Sequence, residues 1–153
     1  AELAAASIRL FPLCACKNRL LLLVFRTNRL QEHLSSPEPA AFLRKYGYAD
    51  PSNLRRALAH LRRNFSPPGG FPHEIGVFLG YPLEDVRGFI AGGGEGCKLC
   101  GYWKVYGDVE RARQSFARYD RCRAALCARM DQGKRLPDIF CRPRNLQRRT
   151  FIS

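Results

Sequence analysis

The longest uninterrupted apolar run in the 153-residue chain is Leu20–Phe25, which is bounded by Arg19 and Arg26. A membrane-spanning helix needs about 20 consecutive apolar residues, and no run in the sequence approaches that length. A run of this size fits a single strand, and an unbroken apolar strand is typical of one covered on both faces. The sequence therefore predicts a folded domain with a short buried strand and no membrane span.

A second strand is predicted over Ser7–Cys16, directly before this run. Lys17 and Asn18 separate the two segments, and Asn suits the positive-φ positions of tight turns. Pro12 has no backbone N–H, so it restricts its strand to a sheet edge or introduces a bulge. We expect an N-terminal β-hairpin.

Start and stop signals divide the remainder of the chain into helices. The signals are prolines after capping residues, apolar residues at helical spacing and terminal glycines. They predict helices over residues 37–46, 51–65, 72–79, 83–90 and 109–132. Leu99–Tyr106 is predicted to be one aromatic-rich strand. The fold class that follows is α+β: a small antiparallel-type sheet, made of the hairpin plus one later strand, packed with four to five helices.

The length and composition predict a single domain over residues 1–153. Hydrophobic residues make up 46% of the chain and charged residues 25%, which excludes wholesale disorder. Residues 142–153 form a basic tail that is expected to be disordered. The sequence does not begin with Met, so we expect that it lacks its native N-terminal segment.

The charge balance is strongly basic. Lys and Arg number 26 against 13 Asp and Glu, a formal net charge of +13. Such a charge is compatible with polyanionic partners, namely nucleic acid, anionic lipid or an acidic protein. Coding bias toward Arg on a solvated surface explains it as well, because the charges are spread over several predicted helices. Only Arg142–Arg149 forms a local cluster.

Cysteine usage points to a reduced, cytoplasmic protein. The seven cysteines are an odd number, and no secretory signal is visible. Cys97 and Cys100 form a C-x-x-C pair, but the pair precedes a strand and not a helix N-terminus, where a thiolate would be stabilised. A closed zinc site needs four ligands. No metal site is therefore predicted; Cys97 and Cys100 come nearest to one, and the cofactor is unknown.

Two regions contain candidate ligand-binding residues. His73 and Glu74 begin a predicted helix, where a His acts as an acid, a base, a ligand or a packing residue. In the aromatic strand, alternation places Tyr102, Lys104 and Tyr106 on one face, while Trp103 and Val105 lie on the other. Aromatic rings beside a Lys are able to stack on a planar group, although core filling explains them too. The first turn of the helix at residue 83 carries Glu84 and Asp85, which suit the helix dipole without any catalytic role.

Two segments carry a specific family resemblance. Residues 71–90 read FPHEIGVFLGYPLEDVRGFI and residues 100–108 read CGYWKVYGD. In this order they resemble the bacterial family of proteins of unknown function DUF3793, and the steps Val24-Phe25-Arg26 and Tyr46-Gly47-Tyr48 are similar to it too. The resemblance covers about residues 19–130. Members carry a further segment before the hairpin, which implies that this chain is a fragment.

The resemblance implies a cytosolic protein of anaerobic bacteria with no established activity, cofactor or catalytic residue. Members are loosely associated with genes for ferrous-iron uptake and flavodoxin. They usually carry the equivalent of Cys100 and not of Cys97, which singles out Cys100 beside His73 and Tyr102.

No catalytic constellation is recognised in the sequence. We therefore expect a non-catalytic binding or accessory protein with a link to iron or redox physiology; a nucleic-acid-binding module and a thiol-dependent redox enzyme are the alternatives. If the two segments fold against each other, Trp103 should close the interior. A shared pocket at His73, Cys100, Tyr102 and Lys104 would then indicate a ligand site. The candidate ligand-binding residues are His73, Glu74, Cys100, Tyr102, Lys104 and Tyr106.

Overall fold

The structure is a computed structural model, which describes residues 7–16, 19–65 and 71–140. Its elements are, in order, β1 (Ile8–Cys16), β2 (Arg19–Arg26), α1 (Thr27–Ser35), α2 (Pro37–Lys45), α3 (Leu54–Asn64), α4 (Ile75–Phe78), α5 (Leu83–Ala91), β3 (Leu99–Cys100), β4 (Lys104–Val105), α6 (Val109–Asp131) and α7 (Leu136–Phe140). The α+β fold class is confirmed. The Lys17-Asn18 turn and the predicted basic tail lie outside the described residues.

The N-terminal hairpin is antiparallel and carries the predicted bulge. Pro12 pairs with Leu22 and Cys14 pairs with Leu21, so Leu13 is the extra residue on β1. A bulged residue loses its cross-strand partner and is free to turn toward the core. The Leu13 side chain is buried there.

The expectation that β2 is covered on both faces is wrong for the described chain. Leu23 is 4% exposed, whereas Leu20 and Val24 are 61% and 60% exposed. Helices α1 and α3 contact the hairpin and cover the face that carries Leu23. In the described ranges no second layer covers the opposite face, because the sheet has only two strands and its helices lie on one side. A continuous apolar run does not reveal how many layers the fold provides.

Two helix starts differ from the prediction. Helix α1 follows β2 without a capping side chain, since its N-cap residue is Arg26 and no side-chain hydrogen bond is made there. The helix was not predicted because this start signal is absent. Helix α3 begins at Leu54, where Asn53 Oδ1 accepts the Arg56 backbone N–H at 3.1 Å. The Asp50-Pro51 signal marks the turn before that helix.

The predicted strand Leu99–Tyr106 is a second hairpin. Leu99 pairs with Val105 and Cys100 with Lys104, in a sheet separate from the first. The prediction that one later strand joins the N-terminal sheet is therefore wrong. The chain reverses at Gly101, whose N–H donates to the Trp103 carbonyl at 3.1 Å. Only glycine fits this turn, because a Cβ at Gly101 would collide with the Phe116 ring.

Among the described residues, the core consists of two adjoining clusters. The larger one joins the inner face of β1–β2 to helices α1 to α5, and it includes Leu34, Leu43 and Leu61 with no exposed surface. The smaller one contains Trp103, Val105 and Ala112. Tyr81 packs against both clusters. Trp103 is 8% exposed, so the expectation that its indole closes the interior is confirmed.

Candidate functional site

The carboxylate of Asp85 joins the two signature segments. Asp85 lies in the first turn of α5 and is 2% exposed. Its Oδ2 accepts the Trp103 indole N–H at 2.7 Å, and its Oδ1 accepts the backbone N–H groups of Tyr106 and Gly107, each at 2.8 Å. A buried carboxylate is tolerated when donors surround it. Helix α5 is thereby fixed to the β3–β4 hairpin, a role that the helix-dipole explanation of Asp85 did not include.

Aromatic packing closes the same junction. The Tyr81 and Trp103 rings stack with centroids 5.0 Å apart, and Phe116 meets the indole edge-on at 4.6 Å. The Tyr106 ring lies over Gly88, where a Cβ would collide with it. These contacts pack the indole and the hairpin closely against α5 and α6.

A cavity of about 480 Å³ opens between the α4–α5 region and the β3–β4 hairpin. We call it the signature cavity, because both signature segments line it. Among the predicted candidates, His73, Cys100, Tyr102 and Lys104 contribute to its wall. The remaining lining is mostly apolar and aromatic: Phe71, Ile75, Gly76, Leu79, Tyr81, Asp85, Val86, Phe89, Gly101 and Trp103.

Two of these candidates already make hydrogen bonds. Lys104 Nζ donates to the Gly94 carbonyl at 2.6 Å, which leaves two of its three ammonium protons for a ligand. The Tyr102 hydroxyl donates to Asp120 Oδ1 at 2.8 Å. That hydrogen bond raises the pKa of Tyr102, because losing the proton would place two negative charges together. Tyr102 is therefore a neutral wall residue at ordinary pH.

The other two candidates have free polar atoms. The His73 imidazole contacts the rings of Phe89 and Phe71, with centroids 5.0 Å and 6.0 Å away. Within the described part of the chain, no hydrogen-bond partner occupies its nitrogens. Cys100 is an exposed free thiol. His73, Cys100 and Lys104 thus supply the unoccupied donors and acceptors of the cavity.

Glu74 and Tyr106 are not brought to this cavity. Glu74 is 5% exposed, and its Oε1 accepts the Tyr48 hydroxyl at 3.1 Å and the Asn64 side-chain amide at 2.8 Å. Burial, followed by the Glu74 charge, raises the pKa of Tyr48. Burial likewise raises the pKa of Tyr106, whose hydroxyl has no partner among the described residues. Glu74 thus links the Tyr48 and Asn64 side chains, while Tyr106 contributes its backbone N–H to Asp85 and packs its ring over Gly88.

The C-x-x-C pair divides between two environments. Cys97 is half-buried, whereas Cys100 is exposed and lines the signature cavity. In the described ranges, no three His, Cys, Asp or Glu side chains are arranged to hold a metal ion. The nearest candidates for a metal, Cys97 and Cys100, therefore have no third ligand among those residues.

Comparison with known proteins identifies the family to which the chain is similar. The family described as "Protein of unknown function (DUF3793)" matches residues 1–140. No curated protein and no solved structure matches the chain. In the described residues, none of the helices combines the length and apolar character needed to cross a membrane.

Proposed function

The chain belongs to the DUF3793 family, and we propose that it is a non-catalytic binding protein that holds a small, planar, mostly apolar organic molecule in the signature cavity. One observation carries the proposal. His73, Cys100, Tyr102 and Lys104 come from two separate sequence segments and line one cavity of about 480 Å³. Small-molecule pockets typically have volumes of about 300–1,000 Å³ and apolar walls with a few polar groups.

The wall composition supports a planar ligand. Phe71, Phe89 and Trp103 present aromatic surfaces to the cavity, and Ile75 and Leu79 add aliphatic surface. Aromatic side chains bury large apolar areas and favour offset or edge-on contacts with other rings. A flat ring system therefore gains more from this wall than a flexible polar molecule would.

The polar groups support an acidic substituent on that ligand. The ammonium of Lys104 is fixed by Gly94 and retains two protons, and the imidazole of His73 is unoccupied. A carboxylate that reaches Lys104 would form a charge-assisted hydrogen bond, which is stronger than a neutral one. The carboxylate of Asp85 is already surrounded by three N–H donors, so it competes little for Lys104.

Binding is favoured over catalysis because most ionisable groups in the wall already have structural partners. Asp85 fixes Trp103, and Tyr102 donates to Asp120. A link to iron or redox physiology and a cytoplasmic location stay predictions that the resemblance implies.

Trp103, the single tryptophan of the chain, reports directly on this cavity. Naphthoate, a planar carboxylate, should change Trp103 fluorescence saturably. Its neutral analogue naphthamide should bind more weakly. Lys104→Met should weaken naphthoate binding by about tenfold, because it removes one charge-assisted hydrogen bond.

Lys98→Met is the matched control. Lys98 also donates to a backbone carbonyl near the hairpin, that of Gly107 at 3.0 Å, but it does not line the cavity. Naphthoate affinity should be unchanged in this variant. Equal affinities in the two lysine variants, or no saturable response in the parent protein, would contradict the proposal.

A thiol-dependent enzyme is the second candidate, because Cys100 and His73 line the same cavity. A reactive thiolate needs a depressed pKa. The binding proposal expects iodoacetamide at neutral pH to modify Cys100 no faster than the exposed Cys122 of α6. Faster modification of Cys100 that disappears in His73→Gln would favour the enzyme instead.

A further inference from the structure

A second cleft of about 530 Å³ shares only Tyr81 and Trp103 with the signature cavity. Three arginines from two helices line it: Arg87 on α5, and Arg111 and Arg118 on α6. We call it the arginine cleft. It does not depend on the ligand proposed for the signature cavity, because the rest of its wall is different.

The α6 arginines share one helix face. Arg111, Ser115 and Arg118 follow each other at positions i, i+4 and i+7, and all three line the cleft. These positions recur every one or two turns, so Arg111 and Arg118 are separated by about 10 Å along the axis. Arg87 of α5 lines the same cleft, so arginines from two helices contribute to its wall.

The guanidinium faces of two arginines are covered, which leaves their edges for a ligand. Arg87 Cζ lies 5.8 Å from the centroid of the Phe42 ring, and Arg118 Cζ lies 5.5 Å from that of Tyr119. A guanidinium that stacks on a ring keeps its N–H donors in the plane and free. Throughout residues 7–16, 19–65 and 71–140, no carboxylate oxygen lies within 4.0 Å of a guanidinium nitrogen of these three arginines.

Two carboxylates also line the cleft and offset part of the arginine charge. They belong to Glu38 and Glu84. The Glu84 carboxylate rests against Gly107, since a Cβ at that glycine would collide with it. Three guanidinium charges against two carboxylates leave the cleft cationic. His33 is also in the cleft wall, where its Nε2–H donates to the Val77 carbonyl at 3.0 Å.

We infer that the arginine cleft binds the phosphate groups of a small phosphorylated molecule, with Tyr81 and Tyr119 beside its organic part. Arg edges match phosphate oxygens in paired hydrogen bonds, which a single Lys does not reproduce. Arg111 and Arg118 lie two turns apart on α6 and Arg87 lies on α5, so this spread of three arginines suits two linked phosphates better than one. The aromatic rings that line the same cleft would pack against a planar or sugar moiety.

Inorganic pyrophosphate is the probe, and isothermal titration at low salt is the measurement. Arg111→Gln and Arg118→Gln should each weaken pyrophosphate binding by about tenfold, since each removes a charge-assisted contact. Arg113→Gln is the matched control: Arg113 lies on the same helix but outside the cleft lining. It should change the affinity by less than about twofold, because solvent screens a distant surface charge. All three arginines are exposed, and thermal unfolding checks that each variant folds.

Equal losses in Arg113→Gln and Arg118→Gln would overturn the inference, as would no heat of binding at millimolar pyrophosphate. The same titration is repeated with a single-stranded oligonucleotide in place of pyrophosphate. If it binds while pyrophosphate does not, nucleic acid is the partner and the inference fails. Lys104→Met should leave pyrophosphate binding unchanged. Failure of the arginine cleft is thus distinguishable from failure of the signature cavity.

Discussion

Replacing the buried carboxylate of Asp85 by an amide should destabilise the protein severely. In Asp85→Asn, the side-chain oxygen can still accept from Tyr106 and Gly107, but the new NH₂ faces the Trp103 indole N–H. Two donors then oppose each other in a buried site. An orphaned buried donor costs about 1–3 kcal/mol, and weaker bonds to the neutral oxygen add to that cost. We expect a loss of about 3–4 kcal/mol, within the range for breaking a buried polar network.

Urea unfolding followed by circular dichroism measures this loss as a change in the free energy of unfolding. Glu84→Gln is the control, since it makes the same chemical change one residue earlier at an exposed side chain, and it should cost less than about 0.5 kcal/mol. Adding Trp103→Phe to Asp85→Asn removes the orphaned N–H. The double-mutant cycle should therefore show a coupling energy of about 1–2 kcal/mol. If Asp85→Asn were as stable as Glu84→Gln, the proposed junction between the signature segments would be refuted.

Two further predictions concern pH and packing. The pKa of Tyr48 is raised in the folded state, so above pH ~10 the unfolded chain loses this proton first and the free energy of unfolding falls by about 1.4 kcal/mol per pH unit. Urea titrations at several alkaline pH values measure this slope, and Tyr48→Phe should reduce it by the contribution of one proton. An unchanged slope in Tyr48→Phe would contradict the prediction. Gly88→Ala should cost about 1–3 kcal/mol in urea unfolding, because its Cβ meets the Tyr106 ring. The reverse exchange Ala117→Gly at an exposed α6 position measures helix propensity alone, about 1 kcal/mol, which by itself would make Gly88→Ala more stable than the parent protein. A stabilised Gly88→Ala variant would contradict the close contact.

The elements that sequence reasoning found are those with local signals. Apolar spacing and proline punctuation predicted α2 and α5 closely, and Pro12 predicted the bulge at Leu13. Helix α1 was missed, because it follows β2 without a capping side chain. The second hairpin was interpreted as one strand, since Trp103 and Val105 are buried and Lys104 between them is exposed in either arrangement.

The site was only partly predictable for a different reason. Four candidates, His73, Cys100, Tyr102 and Lys104, meet at one cavity because their two segments pack together. Nothing local to Glu74 indicated that Tyr48 and Asn64 would engage it. Such pairings depend on residues distant in sequence, which spacing and periodicity do not encode.

Amide chemical-shift mapping with naphthoate tests the central claim most directly. In ¹H–¹⁵N spectra, the predicted result is saturable shifts of the Trp103 indole N–H and of backbone amides in residues 71–90 and 100–107. The amide signals of α3 should not shift. Shifts confined to the exposed strand face at Leu20 and Val24, or an unmoved Trp103 indole signal at saturation, would contradict the account.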